Sequence, residues 1–79
     1  MDAAGVLRGT VYDTVATVRK SHTEPVHGTD RLREDLHLDS MAQLELAVAL
    51  EERLGTPVPD AVVMRSRTVD ELVTALSGG

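Results

Sequence analysis

Between Ser40 and Leu54 apolar residues recur on two sides of a helical wheel, not one. At about 100° per residue, Leu46, Leu50 and Leu54, with Ala47 beside them, form a conventional core stripe. Met41, Leu44 and Val48 fall nearly opposite, where a surface helix is normally polar, and Glu45, Glu51 and Glu52 flank them. A second, acid-rimmed apolar face points to docking against another protein. Ser40 with Gln43 three residues later reads as a capping box, which makes the serine the N-cap at the mouth of that second face. Gly55, with Pro57 close behind, ends the helix, so the predicted span is 40–54.

The other elements follow from the same kind of pattern. Leu7, Val11, Val15 and Val18 keep helical spacing and show no strict alternation, which predicts a first helix over about 3–19. From Ser21 to Leu38 the chain reads as a long loop, broken at Pro25 and Gly28. Within it Asp30 is expected to cap a single turn over RLRED, with Leu32 and Leu36 pinning the loop to the core. Asp60 is the expected N-cap of a short helix over 61–65. Thr68 and Glu71 form a capping box for a last helix, about 69–76, whose apolar face is Val69, Leu72, Val73 and Leu76. The expectation is one all-α domain over 1–79: four helices, the third short, with a long loop between the first two. That loop is long enough to span a helix, which separates the fold from a simple up-down bundle.

Composition narrows the function. Seventy-nine residues bury only about 60% of the surface of the unfolded chain, so the core is small. Tyr12 is the sole aromatic residue, and there is no cysteine to form a disulfide, a thiolate metal site or a nucleophile. A net charge of −5 argues against nucleic acid and for a partner with a basic patch. No apolar run approaches a membrane span, and MDAAGVLRG lacks the pattern of a signal peptide, so a cytoplasmic location is expected.

His37, Asp39 and Ser40 contain the residue types of a hydrolase triad. Three such residues within four positions of one turn do not provide a base, an orienting group and an oxyanion pocket in working geometry, so the chain is not read as an enzyme. His22, His27 and His37 lie in the loop without cysteines or a helical H-x-x-x-H pair, so they read as solvated side chains and no metal is assigned. A serine at a helix start is commonly only a cap. It is also a place where an attached phosphate is electrostatically welcome, because unpaired N–H groups and the helix dipole favour negative charge. The sequence offers no group to install such a phosphate, so another enzyme is required.

ED-L-x-x-DS-M, followed by LELAVALEERLG-x-P-VPD, resembles the acyl carrier protein family over nearly the whole chain. The resemblance implies that Ser40 carries 4′-phosphopantetheine, delivered from coenzyme A by a phosphopantetheinyl transferase, with cargo held as a thioester. It implies transient partners: an acyltransferase or an adenylating ligase for loading, and synthase or other downstream enzymes. It carries partner-contact roles onto Asp39, Met41, Leu44, Glu45, Val48, Glu51 and Glu52 of the second helix, and onto Val58 and Asp60 at the start of the short one. The chain departs from the family at three places: His37 stands where glycine is common, Ala42 where an acid is frequent, and Arg65 and Arg67 mark a third helix that is often acidic in fatty-acid carriers. These departures favour a dedicated pathway, of polyketide or related secondary-metabolite type. L-D-S-M is also similar to stand-alone aminoacyl carriers, so aminoacyl cargo remains an alternative. From a different class, a helical module that binds one partner permanently is the rival.

Overall fold

The computed structural model describes residues 3–19 and 25–78; the loop residues 21–24, His22 among them, lie outside this range. Four helices form in the expected order: α1 (Ala3–Val18), α2 (Ser40–Leu54), α3 (Asp60–Arg65) and α4 (Val69–Leu76). They enclose an aliphatic core in a body of 30 × 23 × 20 Å. The long gap between α1 and α2 and the short third helix are both as the pattern predicted. Among the described residues no helix is long and apolar enough to cross a membrane.

The core draws Val11 and Val15 from α1, Leu46, Ala47 and Leu50 from α2, Val63 from α3, and Val69, Leu72 and Val73 from α4. Leu7, Val18, Leu54 and Leu76, expected on the same stripes, pack at its margin. Thr14 is fully buried, which apolar spacing alone does not reveal; its hydroxyl donates to the Thr10 carbonyl at 2.6 Å and is thereby satisfied.

The connection before α2 is pinned as anticipated, because Leu32 and Leu36 are buried, with Leu38 added to them. Its capping differs. Asp30 does not cap the turn over 31–35; its Oδ2 accepts from the backbone N–H of His27 at 2.9 Å. Asp35 closes the turn from the other end, accepting the Arg31 N–H at 2.7 Å and pairing with the Arg31 guanidinium at 3.0 Å. The Arg31 side chain first, and then its N–H, hold the Asp35 carboxyl below the usual aspartate range. A lowered folded value means that this contribution is present above the ordinary aspartate pKa and fades as pH falls through the lowered one.

The same loop is stitched to the α3–α4 junction. Leu32 N–H donates to the Arg67 carbonyl at 2.8 Å, Val69 N–H to Asp30 at 3.1 Å, and Asp70 N–H to Gly28 at 2.9 Å. A Cβ on Gly28 would meet the Asp70 carboxylate, so a larger residue there would have to displace that side chain. That carboxylate also receives Arg8 at 2.5 Å and the Tyr12 hydroxyl at 3.1 Å, tying α1, the loop and α4 together.

The start of α3 differs from expectation, and that of α4 differs in one bond. Asp60 is the first residue of α3, not its cap; Pro59 occupies the cap position and has no side-chain hydrogen bond to offer. In α4 Thr68 Oγ1 accepts from Glu71 N–H at 3.2 Å as predicted, while the Glu71 carboxylate accepts from the Arg67 N–H, one residue further back than in the standard box.

Candidate functional site

The start of α2 corrects the sequence reading in an informative way. Asp39, not Ser40, is the N-cap: its backbone is extended (φ −74, ψ −177) and its Oδ1 accepts from Ala42 N–H at 2.8 Å. Ser40 is the first helical residue. Because Asp39 supplies the cap, the Ser40 side chain is exposed and makes no hydrogen bond among the described residues. The backbone N–H groups of Ser40 and Met41 likewise have no partner among the described residues. An uncommitted hydroxyl thus sits beside open donors at the positive end of a 15-residue helix, a combination suited to a phosphodiester.

Gln43 does not serve as the reciprocal member of a capping box. It is buried (3% exposed), and its Nε2 donates to the Leu38 carbonyl at 2.9 Å, locking the loop onto the helix. The signal was present in the spacing: 43, 46, 47 and 50 share one face, so Gln43 belongs with the core stripe. Ahead of it His37 adopts φ 57, the left-handed conformation that glycine takes readily, at the position where the resembled family commonly has glycine.

The second stripe of α2 faces outward. Met41 is 69% exposed, Val48 55% and Leu44 39%, and with Ala49 they line a shallow groove of about 360 Å³. Glu45 and Glu52 rim it, with no ion pair among the described residues. The other predicted contact residues separate. Glu51 is exposed, yet its carboxylate accepts the Val58 N–H at 2.8 Å and so anchors the α2–α3 connection. Val58 is 1% exposed and lies in the core, so its side chain is not on the surface as expected. Asp60 is exposed at the first turn of α3, as is Asp39 before α2.

His37 borders a hollow of about 140 Å³ with Asp39, Met41 and Glu45, but among the described residues it makes no hydrogen bond to Ser40 or Asp39. No group of three or more potential metal ligands occurs among the described residues. The geometry therefore assembles an exposed hydroxyl, a helix N-terminus and an adjoining apolar groove with acidic edges.

Comparison with known proteins agrees with this arrangement. The family described as "Phosphopantetheine attachment site" matches residues 10–76. The chain is similar to an acyl carrier protein of Streptomyces coelicolor, 36% identical over 62 residues, which cover 78% of this chain and 67% of that one. It is 32% identical to acyl carrier proteins of Aster yellows witches'-broom phytoplasma and of Acidothermus cellulolyticus, each over 63 residues. These alignments cover 80% of this chain, and 83% and 71% of the two relatives.

Proposed function

The chain belongs to the phosphopantetheine-attachment family of acyl carrier proteins, non-catalytic carriers with a 4′-phosphopantetheine group, and from that premise we propose that Ser40 is the attachment point. The observation that carries the proposal is the free Ser40 hydroxyl, released from capping by Asp39 and set at the exposed start of α2. The attached group supplies a terminal thiol on which an acyl chain is held as a thioester. The residues of this chain do the rest. The N–H groups of Ser40 and Met41 and the α2 dipole offset the negative charge of a phosphodiester at Oγ. Asp39 holds the first turn of the helix in place. Met41, Leu44 and Val48 offer an apolar seat to the transferase and to loading and downstream enzymes, while Glu45 and Glu52 favour partners with a cationic patch.

The acyl cargo reading draws support from the relatives, which are acyl carriers by name. Arg65 and Arg67, in a region often acidic in fatty-acid carriers, favour a dedicated polyketide or related secondary-metabolite pathway. The test is intact mass after incubation with coenzyme A, magnesium and a broad-specificity phosphopantetheinyl transferase, followed by fragment mapping. One added phosphopantetheine on Ser40 is expected, and none on Ser40→Ala. Addition to the Ser40→Ala chain would remove Ser40 from the role.

A further inference from the structure

One side chain near the start of α2 is used neither by the fold nor by the attachment of a phosphodiester. His37 is exposed and stands at φ 57, a backbone state open to glycine and unfavourable to a larger residue. Its imidazole makes no hydrogen bond or ion pair among the described residues. It lines the hollow of about 140 Å³ together with Asp39, Met41, Ala42 and Glu45. That hollow shares Met41 and Glu45 with the α2 groove, so the two form one continuous surface. Asp39 keeps its charge while it caps α2, and Glu45 has no cationic partner among the described residues. Among the described residues none of α1, α3 or α4 lines the hollow. Asp35 of the preceding turn is also within electrostatic reach of His37, and is already paired with Arg31.

From this placement we infer that His37 makes docking on the α2 surface sensitive to pH, opposing the cationic patch of a partner when its ring is protonated. The inference rests on the docking reading of α2 and names a regulation of that same surface. Carboxylates ordinarily stay ionised between about pH 5.5 and 8, whereas an imidazole ordinarily changes charge within that window. At the upper end the hollow offers the charges of Asp39 and Glu45 to a lysine or arginine of the partner. At the lower end an imidazolium stands among them and offsets one of the two. A round space of this volume is about 6 Å across, and at that distance in water one unit charge changes an affinity about threefold. Ala42, where the resembled family frequently has an acid, adds no further carboxylate, so the one imidazolium carries more weight. The glycine common in that family at the position of His37 has no charge to gain.

The probe is a helical peptide with a leucine stripe flanked by arginines, whose charge is fixed over this range. Its affinity for the 15N-labelled chain is read from the amide signals of Leu44 and Val48, at low salt and at about pH 5.5 and about pH 8. The unmodified chain is expected to bind about threefold more weakly at the lower pH. By reciprocity, His37 in the peptide-bound chain is expected to titrate about half a pH unit lower than in the free chain. His37→Asn, uncharged and tolerant of left-handed backbone, and His37→Gly are both expected to bind equally at the two pH values. His22 and His27 remain in both variants, so any dependence they cause stays visible. The proposal is overturned if His37→Asn keeps the pH dependence of the unmodified chain, or if the peptide leaves the titration of His37 unmoved. A peptide that shifts neither Leu44 nor Val48 at either pH removes the docking reading and this inference with it. Ser40 does not line the hollow, so phosphopantetheine addition is read apart: normal addition without a pH response leaves the carrier role intact, and loss of addition strikes that role instead.

Discussion

Helices α2 and α4 begin alike, each with a side-chain cap accepting from the N–H three residues on, yet they place their apolar residues differently. In α4, Val69, Leu72 and Val73 are buried, Leu76 packs at the core margin, and no large apolar side chain is left outside. In α2 a comparable stripe is buried while Met41, Leu44 and Val48 remain in solvent. Folding needs only the first stripe. The surplus apolar surface on α2, next to an uncommitted serine, is the docking surface proposed above.

The largest way to break this contrast is to exchange the roles of the two stripes. Leu50→Ala, inside the core, is expected to cost about 2–5 kcal/mol in urea unfolding, enough to leave so small a domain close to unfolded. Val48→Ala, on the outer stripe, should change stability by no more than about 0.5 kcal/mol. Equal losses would erase the distinction. Next in size, Gln43→Ala leaves the Leu38 carbonyl without its donor and should cost about 1–3 kcal/mol, with protection of nearby amides from hydrogen exchange reduced first.

The third test sharpens the assignment of the cap. Asp39→Ala is expected to lose about 0.5–2 kcal/mol, whereas Ser40→Ala, at the first helical position, should be nearly neutral in the same melt. The reverse order would restore the serine as the cap. The smallest effect expected is at His37. Glycine there relieves the left-handed strain but adds freedom to the unfolded chain, so His37→Gly should stabilise by less than about 1 kcal/mol. A clear loss of stability would show that the imidazole makes a contact that matters.

These comparisons also indicate what was legible beforehand. The helices and both α2 stripes followed from periodicity, because burial imposes the 3.6-residue repeat directly. Caps were harder. Aspartate and serine stand side by side at 39 and 40, both good caps, and only the path of the chain through His37 and Leu38 decides between them. The same limit applied at Asp30 and Asp60, where a good capping residue stood near a turn but bonded elsewhere or began the helix itself. Sequence resemblance grouped Val58 and Glu51 as contact residues. Glu51 is exposed, but its bond to the Val58 N–H holds a connection whose Val58 side chain turns into the core, which only the three-dimensional path reveals. Likewise the pairing of Arg8 with Asp70 across 62 positions leaves no local trace.

The central claim is that the outer stripe of α2 serves docking and not folding. The most direct measurement follows the initial rate of phosphopantetheine transfer to Val48→Asp alongside its unfolding midpoint, at low and high salt. The account predicts a transfer rate reduced severalfold with the midpoint nearly unchanged. A transfer rate equal to that of the unmodified chain, or a midpoint that falls in step with the rate, would contradict it.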